Sequence, residues 1–193
     1  MLRIAVQSKG RLYDETMELL AEAGIKLTAM KRTLLVPSRN FPVELLFLRD
    51  DDIPESVASG TSDIGIVGLN EVLEKNKNVS IIRNLGFSKC RLALAIPQKH
   101  QYSGLEWFNG KKIATSYPRI LGDFLQKNNI SANIHEISGS VEIAPGIGLA
   151  DAIFLLENRG LDVTFTGNGK VVNQSIKAGS PLRHGDKIKL RLE

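Results

Sequence analysis

Cysteine is almost missing from this chain: Cys90 stands alone among 193 residues. One thiol cannot close an internal disulfide, which suits a reducing compartment. Long apolar runs are missing as well, and no stretch approaches the roughly 20 residues needed to span a bilayer. Met1 leads directly into LRIAVQSKG, with no charged segment followed by an apolar run, so a soluble, cytoplasmic protein is expected, without a membrane partner. No run of lysine and arginine is interleaved with aromatics, so nucleic acid is not expected as a partner despite the net charge of +4. His100, His135 and His184 share no metal-ligand spacing with one another or with Cys90. No metal site is read from them.

What is present is an ordinary globular composition. Hydrophobic residues make up 42% and charged residues 24%, which argues against disorder. The length suits one moderate domain or two small lobes. Leu2–Val6 is a short apolar run that meets the polar turn QSKGR, after which Leu12, Met17, Leu19, Leu20 and Ala23 recur with helical spacing up to Gly24. Thr33–Val36 and Val43–Leu48 read as strands around the turn SRNFP, and Asp51–Ala58 as a short helix with Pro54 in its first turn. Asp63–Val67 and Cys90–Ile96 are further strands, with a helix opening at Asn70. Alternating strand and helix imply parallel pairing with crossover helices.

Gln98–Gly110 is polar, carries Trp107 and Phe108, and reads as a hinge into a second lobe. Lys112–Thr115, Ile120–Lys127 and Asn133–Ile137 then form a smaller strand, helix and strand unit. From Gly148 the pattern changes: Leu149–Asn158 has helical apolar spacing, and Asp162–Thr166, Val171–Ile176 and Lys187–Leu192 follow as three strands of antiparallel aspect. The expected organisation is lobe I at 1–97, lobe II at 98–147 and a tail of one helix and three strands at 148–193.

Several clusters could carry chemistry. In QSKGRL (Gln7–Leu12) a strand end, two cations and free backbone N–H groups coincide, which makes an anion site or else a solvated basic turn. Asp50, Asp51 and Asp52 could hold magnesium through water, but such runs more often cap helices. Lys89 and Arg91 flank Cys90, which reads as a small apolar packing group. Thr115, Ser116 and Tyr117 put two hydroxyls and a phenol at a strand end, suited to a base or ribose.

The set QSKGRL, RDDDIP, DIGIVG, GFSKCRLALAIP, GKKIATSYP and GSVEIAPGIGLADAI, over about 1–154, resembles the catalytic part of ATP phosphoribosyltransferase. The resemblance implies an α/β scaffold of two lobes like that of type II periplasmic binding proteins. It further implies attack of the adenine N1 of ATP on phosphoribosyl pyrophosphate, with Mg²⁺ as cofactor and self-association into dimers or larger. It assigns Lys9, Arg11 and Arg49 to the pyrophosphate, Ser116 and Tyr117 to the nucleotide, and Glu142 to the ribose or its metal. Arg11, Arg49 and Glu142 form the implied catalytic set. Lys9, Lys89, Ser116, Tyr117, Arg159 and Gly160 form the substrate-binding set.

The chain departs from that family at the 5′-phosphate turn. Leu155 stands where the family has Asp, Asn158, Arg159 and Asp162 replace the Ser/Thr positions, and only Gly160 is kept. A carboxylate beside a phosphate repels it, so weak phosphoribosyl pyrophosphate binding, or none, is expected. The tail, including VVNQSIKAGSPLRHGDKIKL, resembles a PASTA domain, and the two resemblances share residues 148–154. A chimeric chain, or a non-catalytic protein binding a ligand or partner, is therefore the alternative to a transferase.

Overall fold

The run LRIAV becomes β1 (Leu2–Gln7), the strand on which the first half of the chain is built. The computed structural model describes residues 1–27, 33–158, 161–167, 171–174 and 186–192, with side chains through 156. The chain divides into two compact units, Met1–Ser88 and Lys89–Glu193. In the first, β1 is followed by α1 (Arg11–Glu22), β2 (Leu35–Pro37), β3 (Val43–Leu48), α2 (Ile53–Ala58), β4 (Ile64–Ile66) and α3 (Leu69–Lys75). The sheet order is β2-β3-β1-β4. β1 pairs in parallel with β3 and with β4, whereas β2 pairs antiparallel with β3 through the turn at 38–42.

Helical spacing sets the buried side of α1: Leu20 is buried and Met17 packs beside it against Ile4, Val6, Val43 and Leu45. Gly10 lets the chain pass from strand to helix. Its φ of +95° lies in a region that side chains rarely adopt, so the turn Ser8–Gly10 calls for glycine.

The second unit contains β5 (Cys90–Ala95), β6 (Lys112–Thr115), α4 (Pro118–Lys127), β7 (Asn133–Glu136) and β8 (Ala152–Asn158). Their order is β5-β8-β6-β7. β6 runs parallel to β7 and β8, and β5 runs antiparallel to β8. Period-two alternation divides the core between the faces. Ile113, Ala152 and Phe154 pack with Phe108, Leu121, Leu125 and Ile130. Ala114 and Ile153 pack with Val141, Ala144 and Ala150.

Four expectations are corrected here. Leu149–Asn158 is not a helix, because residues 152–158 form β8 between two partner strands. Ala152, Ile153 and Phe154 are all buried, which suits a strand covered on both faces. The tail therefore lacks the helix expected to begin it. Gln98–Gly110 is not a hinge between the units: Phe108 is 1% exposed in the second core, and the boundary precedes β5 rather than following Pro97. β5 belongs to the second unit because its hydrogen-bonded partner is β8.

The fourth concerns the last strands, β9 (Leu161–Gly167), β10 (Val171–Gln174) and β11 (Asp186–Leu192). They form a sheet in the order β10-β11-β9, where β10 and β11 are antiparallel but β11 and β9 are parallel.

Candidate functional site

In α/β sheets ligands sit beyond the carboxyl ends of parallel strands, and in each unit the polar candidates gather there. In the first unit Gln7 pairs with Leu48, and the Ser8 N–H donates to the Leu48 carbonyl at 2.9 Å. The turn bearing Lys9 and Arg11 thus leaves the sheet beside the turn bearing Arg49. Lys9, Arg11 and Arg49 are exposed. Arg11 opens α1 and lies 3.9 Å from Glu15, one turn on.

Arg49 lies 3.2 Å from Asp51, whose other oxygen is 3.6 Å from Lys75. Asp51 is therefore paired with two cations, and the Asp50–Asp52 run forms a short 3₁₀ turn leading into α2. Among the described residues no three His, Cys, Asp or Glu side chains converge as a metal site.

In the second unit Thr115 ends β6, and its Oγ1 accepts a hydrogen bond from the Tyr117 N–H at 2.8 Å. That local bond turns the chain, and Pro118 then starts α4 with a fixed φ and no donor to lose. Ser116 is left exposed, while Tyr117 packs against the Phe108 core. Glu142 is exposed on the 3₁₀ turn Val141–Ile143, whose Val141 packs on the Ala114 and Ile153 face. Lys89 precedes β5, and because β5 is antiparallel to β8 it lies at this same end of the sheet. Lys89 and the Ser116–Tyr117 turn thus reach one end of the sheet from two separate segments, while Glu142 lies on the turn packed against its Ala114 and Ile153 face. Arg159 and Gly160 lie outside the described residues, as does His184.

Leu155 stands where the resemblance implies a carboxylate. Phe154 pairs with Thr115, so Leu155 lies one residue beyond the end of β6, level with Ser116. It packs against the cluster of Ala114, Val141, Ala144, Ala150 and Ile153. β8 continues past it and pairs Asn158 with Cys90. Residues 155–158 are in a strand, where the resemblance implies an approach to a phosphate turn. Leu155→Asp puts a charge into this half-buried apolar contact, and a loss of about 1–3 kcal/mol is expected in urea unfolding. Unchanged stability would show that Leu155 is not part of that core.

Sequence reasoning missed Glu71, a carboxylate only 6% exposed on α3, whose Oε1 accepts from Asn70 Nδ2 at 2.8 Å. It also missed the Ser88 hydroxyl donating to Glu15. Neither has a local signal, since a glutamate in a helix ordinarily faces water.

Parallel strands with crossover helices, ending in cationic and hydroxyl-bearing turns, place this chain among the α/β proteins. The sequence pattern of ATP phosphoribosyltransferase matches residues 49–169, and that of the PASTA domain matches 146–193. The chain is 64% identical over 174 residues to the ATP phosphoribosyltransferase of Parabacteroides distasonis, covering 90% of this chain and 59% of that protein. For the Bacteroides thetaiotaomicron enzyme the identity is 65% with the same coverage. Among solved structures, the ATP phosphoribosyl transferase (HisG:HisZ) complex from Thermotoga maritima matches with a TM-score of 0.68 and 26% identity. That match covers 82% of this chain and 75% of the other.

The chain belongs to the ATP phosphoribosyltransferase family. It spans about 59% of the length of the curated relatives it matches. The family match continues beyond Phe154, where the resemblance was expected to stop, and overlaps the PASTA match over 146–169 rather than 148–154.

Proposed function

We propose that the chain is an ATP phosphoribosyltransferase scaffold that binds ATP and transfers phosphoribosyl groups weakly or not at all. In the transferase reaction of histidine biosynthesis the adenine N1 bonds to the ribose C1, and the C1–O bond breaks with its electron pair going to pyrophosphate. Such a displacement needs cations at the leaving group and a fixed line of attack more than a nucleophilic side chain. Lys9, Arg11 and Arg49 are suited to the anion, and Ser116 and Tyr117 to the nucleotide. Glu142 is suited to the ribose, and a cytoplasmic setting fits these substrates. Magnesium is part of this reading by family resemblance alone and carries no step in it. Self-association, and any role for Arg159 and Gly160 at the phosphate, come from the resemblance in the same way.

The observation that supports impaired transfer is Leu155. It is an apolar, half-buried residue in a strand that runs to Asn158, at the place where the family carries its carboxylate. The decisive experiment combines thermal shift with a product assay. ATP at about 100 times its Kd should stabilise the protein by about 2.7 kcal/mol, while ATP, phosphoribosyl pyrophosphate and Mg²⁺ together yield little or no phosphoribosyl-ATP. Absence of any ATP stabilisation overturns the binding reading, and sustained product formation overturns the impaired-transfer reading.

In the double variant Leu155→Asp/Asp162→Thr, calorimetry should show tighter phosphoribosyl pyrophosphate binding. No gain would point to a defect other than the turn. A second reading, ligand or partner binding by the tail of a chimeric chain, is favoured by the PASTA match over 146–193.

A further inference from the structure

Arg11 is placed where a cation does not help its own helix. It is the first residue of α1, at the positive end of the helix dipole, where acidic side chains are the stabilising ones. Glu15, one turn later, brings Oε2 to 3.9 Å from Arg11 Nε. The Ser88 hydroxyl donates to that same Oε2 across 73 residues of sequence. Ser88 has a φ of +48°, uncommon for a residue with a side chain, and it is the last residue of the first unit.

We infer that Glu15 is a positioning residue for Arg11: its carboxylate, fixed by the Ser88 hydroxyl, orients the guanidinium at the carboxyl end of β1. The inference rests on the reading above in which Arg11 meets the phosphates of a nucleotide. An arginine ordered before the ligand arrives loses less side-chain freedom on binding. The Arg11 and Glu15 side chains are 46% and 34% exposed, so their mutual attraction is screened and adds little to stability. Orientation is then the main effect of the pair, and it separates in experiment from stability.

The test uses the full chain in four forms: unchanged, Glu15→Gln, Ser88→Ala and Arg11→Ala. The nitrogen-15 spectrum of arginine Nε–H groups, recorded without ligand, reads the order of Arg11 directly. Its signal, identified by its loss in Arg11→Ala, should broaden or shift in both Glu15→Gln and Ser88→Ala. ATP affinity, measured by calorimetry, should fall about three- to tenfold in each, with melting temperatures close to the unchanged protein. In an Arg11→Ala background neither substitution should matter further.

An Arg11 signal indifferent to both variants overturns the inference. So does a fall in ATP affinity that persists without Arg11, or tighter ATP binding in Glu15→Gln, which would make the carboxylate only a competitor of the phosphates. If the unchanged chain binds no ATP, the nucleotide reading fails by itself, and the Nε–H spectrum alone upholds or overturns the positioning.

Discussion

Replacing Phe108 with alanine should lower stability by about 3–5 kcal/mol, the range for emptying a buried aromatic site. The side chain is 1% exposed and packs with Ile113, Leu121, Leu125, Ile130, Ala152 and Phe154. Its ring also meets Trp107 edge to face at 5.2 Å and Tyr102 at 6.2 Å. Of these neighbours Ile113, Ala152 and Phe154 belong to the paired strands β6 and β8, and Leu121 and Leu125 to α4, so the space cannot close fully. For a unit of this size the loss corresponds to a fall in melting temperature on the order of 10–20 °C.

Calorimetry on the whole chain would show the second unit unfolding first. Phe41, 57% exposed in the first unit, serves as the control, and its alanine variant should stay near the unchanged protein. A Phe108→Ala variant melting within about 2 °C of the parent would return the segment 98–110 to a hinge.

The same segment shows where local pattern stops being informative. Trp107 and Phe108 sit in a polar stretch between strands, so their burial is decided by distant residues, Leu121 and Phe154 among them. Strands set by their own alternation and bounded by turns were legible: Val43–Leu48 and Lys112–Thr115 have the bounds that the sequence suggests. Residues 149, 152, 153 and 156 fit a helix face, yet the run AIFLL fits a strand buried on both faces equally well. β5 and β6 on either side decide for the strand, and neither is visible from within the run. The parallel pairing of β9 with β11 is hidden for the same reason.

Much of the candidate site was legible because strand, polar turn and helix follow one another directly in QSKGRL and in ATSYP. The cations and hydroxyls at those turns needed no long-range information. What holds them did. Glu15 and Ser88 are 73 positions apart, and Lys75 reaches Asp51 from a different helix.

Gly65 offers the sharpest test of how the first unit holds its candidate site. A Cβ built there would lie 2.6 Å from Ile53 Cγ2 and 3.1 Å from Val57 Cγ2, both on α2. Ile53 is fully buried, and its Cγ2 branches directly from Cβ, so it cannot swing clear as the end of a longer chain would. α2 itself must shift, and the turn bearing Arg49 and Asp51 runs directly into it. Gly65→Ala should therefore cost about 1–3 kcal/mol through overpacking and weaken ATP binding at the same time.

Ile53→Leu supplies the internal check, because leucine has no branch at Cβ. Combined with Gly65→Ala, it should recover part of both losses, so the two substitutions would be less than additive in urea unfolding and in calorimetric ATP titration. Strict additivity would mean that helix and strand do not meet at Gly65. A stability loss with unchanged ATP affinity would instead separate the packing of α2 from the arginine it leads away from.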